Sequence, residues 1–237
     1  MAAETAALPK YAQTAEMLIR EIASGRLADG TRLPPEREMA HDLGLAVGTL
    51  RKALHDLEER GLLERRQGSG NYVRHKPEAA GIYAFFRLER LEGGGLPTAE
   101  VLNVARRPLR ADALSPTCPP LVPREAYTRI RRLRRLDGLP AAVEEIWLDH
   151  DAPLRAADLS EALYRFYRRK LGLWIVSAED RIGVAGAPDW SPEDFGVSAG
   201  HPCGFVERLG RIADGTAVEY SRTWFDASVC RYMSRMR

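Results

Sequence analysis

Between Tyr11 and Arg60 the apolar residues recur twice at helical spacing, and a short segment between the two runs is bounded by helix start and stop signals. Ala15, Leu18, Ile19 and Ile22 fall at i, i+3, i+4 and i+7, which predicts a helix from Tyr11 ended by Ser24-Gly25. A turn over Leu27–Leu33 leads into Pro34-Pro35. A second, short helix is predicted from Pro35 to Leu43, closed by Gly44, because glycine tolerates the left-handed backbone a helix C-terminus needs. A third runs from Val47 to Arg60, stopped by Gly61, with Leu50, Leu54 and Leu57 as its apolar stripe. Its other side carries Gly48, Thr49, Arg51, Lys52 and His55. The pattern then becomes that of a hairpin: Leu62-Leu63-Glu64 and Arg65-Arg66 go out, Gly68-Ser69-Gly70 turns, and Asn71-Tyr72-Val73 returns. A short helix, a tight turn, a helix with a basic exposed N-terminal half and a glycine-tipped wing form an arrangement that can enter the major groove of DNA.

The next stretch, Arg74 to Gly81, contains HKPEAAG and no apolar period. It divides the chain into a disordered tail (1–8), a first domain (9–74), a linker (75–81) and a second domain (82–237). The second domain reads as α+β. Strands are predicted over Ile82–Leu91 and Glu100–Arg107, then a short helix over Ala111–Leu114. Ala126–Leu136 and Ala141–Asp149 make a hairpin across Asp137-Gly138. Ser160–Leu171 is an amphipathic helix with Leu163, Phe166, Tyr167 and Leu171 on one side. A strand over Leu173–Val184 and one helical turn at Pro192–Phe195 follow. A second hairpin, Gly204–Ala213 with Thr216–Asp226, again turns on Asp-Gly.

One strand is unusual. In YTRIRRLRRLDG a period of two puts Ile130, Arg132, Arg134 and Leu136 on one face, and Arg129, Arg131, Leu133 and Arg135 on the other. Inward arginines are costly unless paired. Their partner is a buried carboxylate such as Glu144 or Glu219, or an anionic ligand, for which a guanidinium fork is well shaped. The bland alternative is a solvent-facing ladder of surface ion pairs. A strict two-residue turn would put Glu144 beside Arg131. A three-residue loop with a glycine bulge puts it beside Arg132 and Arg134, and this form is expected.

Composition narrows the field without deciding it. The 237 residues suit two domains, and the net charge of only +2 means that any nucleic-acid surface is local: Arg51, Lys52, Arg65, Arg66 and Arg74. Cys118, Cys203 and Cys230 are scattered, with no metal-ligand spacing, and His150 between two aspartates reads as loop. No cofactor, no metal site, no signal peptide and no membrane span is expected, and a reducing cytoplasmic setting fits.

LPPERE, the LG turn, GTLRKAL, LEERGLLERR and GSG together resemble the winged helix-turn-helix of the GntR family of bacterial transcription regulators. RIRRLRRLDGLPAAVEEIWL, FGVSAGHPCGFVERLGRIADG and AVEYSRTWF, in that order, resemble the UTRA domain of the family's HutC subfamily. The resemblance implies a chorismate-lyase-like antiparallel sheet with flanking helices and a cleft for a small molecule. It implies DNA contacts from Arg37, Thr49 (phosphate), Arg51 (base) and the wing tip, Gln67 and Gly68; Lys52, on the basic side of the same helix, is a further candidate DNA contact, with a solvated surface charge as the alternative. It implies effector contacts from Arg132 and Arg134 to an anionic group, and from Glu144 and Glu219 to hydroxyl or amino groups. Phe225 stands where many members carry a tyrosine, so one polar contact is missing. Ala46 and Val47 replace a hydroxyl residue and an arginine, altering the expected operator. The implied protein is a homodimeric repressor on double-stranded operator DNA, released by a small anionic metabolite such as a sugar phosphate or organic acid. Two rivals remain: a second domain that only dimerises, and an enzyme of lyase-like fold. Against the latter, there is no Ser-His-Asp order, nucleophilic cysteine setting, zinc spacing or phosphate loop.

Overall fold

The computed structural model describes residues 9–23, 26–74, 85–95, 97–108, 121, 125–151, 153–159 and 163–234. The expected tail, the whole linker 75–81, the helix over Ala111–Leu114 and Cys118 lie outside them. The chain divides into two compact units, one of Met1–Leu88 with Tyr232–Arg237 and one of Glu89–Arg231.

In the first unit, α1 is Lys10–Ala23, α2 Glu36–Asp42 and α3 Val47–Glu59. Ala15, Leu18, Ile19 and Ile22 are buried, as the spacing predicted, against Leu50, Ala53, Leu54 and Leu57 of α3. Gly44 and Gly61 close α2 and α3 at φ of 61° and 68°. In each case the next amide bonds back to the last turn: Leu45 to the Ala40 carbonyl (2.8 Å) and Leu62 to that of Leu57 (2.9 Å). The wing is β1, Leu63–Arg66, paired with β2, Gly70–Val73. Residues 30–33 run along β2, with Leu33 N–H on Asn71 O at 2.9 Å and Val73 N–H on Thr31 O at 2.9 Å.

In the second unit, β4 is Pro97–Arg107, β5 Tyr127–Leu136, β6 Leu139–Leu148, β7 Ser177–Gly186, β8 Pro202–Arg211 and β9 Ala217–Phe225. They form one antiparallel sheet in the order β4-β5-β6-β9-β8-β7. Short strands β3, Leu88–Arg90, and β10, Cys230–Tyr232, pair separately. The predicted strand over Ile82–Leu91 is thus confined, where it is described, to its last residues. The amphipathic helix is described from Leu163. It is α4, Leu163–Phe166, continued by a π turn over Tyr167–Leu171 and ended by Gly172. π turns recur at functional sites because they re-aim a side chain, and Tyr167 heads this one.

The β5–β6 hairpin departs from expectation in an instructive way. Its loop has only two residues, with Asp137 at φ 50° and Gly138 at φ 81°, the paired positive angles that match a hairpin's twist. The extra residue sits inside β6 instead. Arg134 pairs with Ala142 but Arg135 with Pro140, leaving Ala141 as a bulge. The bulge, not the loop, shifts the register so that Arg132 opposes Glu144.

Candidate functional site

The first cluster lies on the winged unit. The helix-turn-helix leaves Arg37, Gly48, Arg51 and Lys52 exposed and Thr49 half-buried, while Gln67 and Gly68 are exposed at the wing tip. Arg51 Nε donates to Glu36 Oε2 at 2.5 Å, and Arg65 Nη2 to Glu36 Oε1 at 3.4 Å. One carboxylate of α2 therefore joins the middle of α3 to the wing. Lys52 Nζ stands 4.1 Å from the centre of the Tyr11 ring, a cation–π contact that ties it to α1. In the wing, Arg66 stacks on Tyr72 at 4.4 Å, and the Tyr72 and Ser69 hydroxyls meet at 2.7 Å. Glu64 takes Arg66 and Arg74. Ala46 is the N-cap of α3 and offers no side-chain acceptor. Val47 packs against the hydrophobic core rather than facing outward as an arginine would. Beneath these, Arg60 spans Asp56 and the buried Glu16 at 3.1 Å.

The second cluster is on one face of the sheet. Register places Arg134, Ala142, Phe225 and Gly204 in one row across β5, β6, β9 and β8, and Arg132, Glu144 and Thr223 in the next. Arg132, Arg134, Glu144 and Glu219 are all buried, which excludes the solvent-facing ladder. One oxygen, Glu144 Oε2, accepts Arg132 Nε at 3.0 Å, Arg132 Nη2 at 2.5 Å and Arg134 Nε at 3.1 Å. Burial pushes the Glu144 carboxyl up, but the two guanidiniums outweigh it and hold it down at about 2. Glu219 is shifted the other way. Burial raises it, helped by the Glu144 charge and opposed by the Tyr164 hydroxyl, which donates to Glu219 Oε1 at 2.7 Å. Glu219 Oε2 and the Tyr167 hydroxyl are buried nearby without a hydrogen bond of normal geometry. Burial and the Glu219 charge raise both tyrosines well above their ordinary values.

Phe225 lies on this same face, its ring pressed over Gly204. A Cβ there would stand 2.1 Å from Phe225 Cζ. Arg208 grips Asp180 with two 2.6 Å bonds, Nε to Oδ1 and Nη2 to Oδ2. The opposite face holds a separate network. Glu145 accepts Arg131 Nε (2.9 Å), Arg222 Nη2 (2.5 Å) and Trp147 Nε1 (3.2 Å), and Arg131 stacks on Trp190 at 4.5 Å.

All five second-domain residues singled out from the sequence thus share one sheet face, and the six in the first domain lie on α2, α3 and the wing. Sequence reading missed Glu36, Tyr164, Tyr167, Arg208 and Asp180 as parts of these clusters. Alternation in EDRIG and FVERLG could have flagged Asp180 and Arg208 as inward charges. Nothing in the sequence pairs Glu36 with Arg51 fifteen residues on. Among the described residues no group of three or more His, Cys, Asp or Glu could hold a metal ion, and no helix is long and apolar enough to cross a membrane.

A winged helix-turn-helix followed by an antiparallel sheet with a buried, charge-lined face defines a two-domain DNA-binding regulator. Residues 10–73 match the family model for bacterial regulatory proteins of the gntR family, and residues 92–231 match the UTRA domain. The chain belongs to the GntR family, in the HutC arrangement with a UTRA domain, and is a transcriptional regulator rather than an enzyme. It is 56% identical over 232 residues to the HTH-type transcriptional regulator SmoD of Agrobacterium fabrum, covering 97% of each chain. It is 29% identical to the mannosyl-D-glycerate transport/metabolism system repressor MngR of Escherichia coli, covering 92% of each. Among solved structures, the possible transcriptional regulator YydK of Bacillus subtilis matches with a TM-score of 0.52 at 20% identity, covering 97% of this chain and 100% of that one.

Proposed function

We propose that the protein is a repressor released from its operator by a small anionic metabolite. Arg37, Thr49, Arg51, Lys52, Gln67 and Gly68 form the DNA-contacting surface. Arg132, Arg134, Glu144, Glu219 and Phe225 line the effector site. The observation that carries the second half is the convergence of two buried guanidiniums on one oxygen of Glu144. Burying such a group is expensive and is seldom retained for stability alone. A fork of this kind suits a phosphate or carboxylate, and Glu219 beside Tyr164 suits the hydroxyl or amino groups of the same ligand. The class is a sugar phosphate or organic acid. MngR carries the word repressor in its name, which favours repression over activation.

The working form is a homodimer in the cytoplasm, each winged domain reading one half of a roughly palindromic operator. Induction requires that the ligand bind the DNA-incompetent conformation more tightly than the competent one. The test is a pair of variants read by fluorescence anisotropy at fixed salt, on DNA from upstream of the protein's own gene with scrambled competitor. Arg51→Ala loses operator binding and keeps metabolite binding; Arg134→Ala does the reverse. Equal damage to both activities by both variants would refute the division of labour.

A further inference from the structure

Strand alternation decides what the segment before α2 presents to solvent. Residues 30–33 run along β2, and Arg32 stands opposite Tyr72. Leu33 turns inward and is buried, so its neighbour Arg32 turns outward and is exposed. From the other side of β2, Glu64 opposes Tyr72 and Arg66 opposes Gly70. Arg32, Glu64, Arg66 and Tyr72 therefore share the outer face of the wing, while Leu63 and Val73 lie in the core beneath.

The Arg32 side chain reaches diagonally across β2 toward the tip. A Cβ on Gly70 would stand 3.3 Å from Arg32 Nε and 3.8 Å from its Nη2. The guanidinium thus occupies the space that a side chain at 70 would take, at the last residue of the Gly68-Ser69-Gly70 tip. The other guanidiniums of the wing are held by carboxylates: Arg65 by Glu36, and Arg66 and Arg74 by Glu64. Among the described residues Arg32 has no such partner. It is an exposed cation, placed by the backbone it rests on and not by a neighbouring charge, with its fork of donors open to a group outside the chain.

We infer that Arg32 is a further DNA contact, to a backbone phosphate bordering the groove that the wing tip enters. The inference rests on the winged surface given under Proposed function. Two of the guanidinium nitrogens lie against Gly70, so the group flanks the tip and does not extend past it toward base edges. A planar fork fits two phosphate oxygens. A contact of this kind sets where the wing sits on the duplex and reads no sequence. The competing role is a brace that only holds residues 30–33 against the wing.

The experiment compares the full chain with Arg32→Gln, Arg32→Lys and Arg51→Ala. Anisotropy is read on the DNA upstream of the protein's own gene and on a scrambled duplex, across a salt series. Arg32→Gln keeps a planar end that can rest on Gly70 and removes the charge. It should weaken binding about tenfold on both duplexes alike, and lower the slope of log affinity against log salt by about one. Arg32→Lys should keep the parent's slope. Ethylation interference on the upstream DNA should show the parent's pattern with one phosphate missing at the border of each wing's footprint. An unchanged slope and an unchanged ethylation pattern for Arg32→Gln overturn the inference. So does an Arg32→Lys chain that loses as much affinity as Arg32→Gln with a lowered thermal midpoint, because that is the behaviour of a brace. Arg51→Ala reports on the underlying reading: operator binding that survives it shows the winged surface itself to be misassigned, and Arg32 falls with it.

Discussion

Glu36 holds Arg51 through a 2.5 Å bond from the guanidinium Nε to Oε2, while its other oxygen takes Arg65 of the wing. An acidic group in the middle of the proposed DNA-contacting surface costs affinity for phosphates, so on that reading its contribution lies in aim. Glu36→Gln should bind scrambled DNA more tightly, because a negative charge has left the surface. Operator binding should weaken, because Arg51 is no longer held. The specificity ratio should fall about tenfold, within the roughly 1–3 kcal/mol that one base contact supplies. Anisotropy on both duplexes at one salt concentration measures it. Equal loss on both would make Glu36 a structural residue only.

The cap of α3 is a second place where the sequence departs from good local chemistry. Ala46 leaves the helix's first amides without a side-chain acceptor; the Thr49 amide falls back on the Ala46 carbonyl at 2.9 Å. Ala46→Ser should therefore stabilise the winged unit by about 0.5–1 kcal/mol. Urea unfolding followed by circular dichroism would show a higher midpoint with an unchanged slope. No gain would mean that water already satisfies these amides.

Helical spacing located α1 and α3, because their stripes of leucine and isoleucine face one core, whereas α2, EREMAHD, carries no such stripe and is placed by the proline before it and the glycine after it. That Arg132 and Arg134 share one face was also legible, since a strand's period of two leaves few choices, but a solvent-facing ladder is excluded only by their burial. The route to the Arg132–Glu144 pairing was not legible. Whether an extra residue sits in the turn or at Ala141 depends on twist and packing across strands, which no local pattern records. Long-range partners were equally hidden: Glu36 with Arg51, Tyr164 with Glu219, Asp180 with Arg208. Each joins elements whose relative placement comes from the whole fold.

Arg132 and Arg134 share Glu144 unequally. Arg132 gives it two hydrogen bonds and is 2% exposed, whereas Arg134 gives it one and is 8% exposed. Removing Arg132 strands a buried carboxylate, so Arg132→Ala should cost about 3–5 kcal/mol. Arg134→Ala leaves that carboxylate held and should cost only about 1–2 kcal/mol, yet still lose metabolite binding. Chemical denaturation of the two variants separates them. Equal stability losses would show that Glu144 relies on both arginines alike.

Phe225 and Gly204 are a packing pair. With the ring 2.1 Å from where a Cβ would sit, Gly204→Ala must displace it, at about 1–3 kcal/mol. Because the ring lies on the proposed effector face, the same change should alter ligand affinity. Combining Gly204→Ala with Phe225→Leu should cost less than the sum of the two single changes, since the smaller side chain makes room for the methyl. Strict additivity of melting shifts would mean the two positions are not coupled.

Glu219 and Glu144 should respond to pH in opposite senses. Glu144 is held at about 2, below its ordinary 4.5, so its ion pairs contribute fully above 4.5 and are lost as pH falls toward 2. Glu219 is raised above 4.5 by burial and by the Glu144 charge. Its contribution is therefore present below 4.5 and is lost as pH rises through its folded-state value, where ionising it in the core opposes folding. Glu219→Gln keeps the shape and removes that ionisation. Its melting temperature should match the parent's near pH 4.5 and exceed it increasingly toward pH 8, while metabolite affinity at pH 8 falls because a charged acceptor has become a neutral amide. Thermal melts of both chains across that range decide it. A constant offset between the two curves would mean that Glu219 ionises as easily in the fold as in the unfolded chain, and that burial is not what sets it.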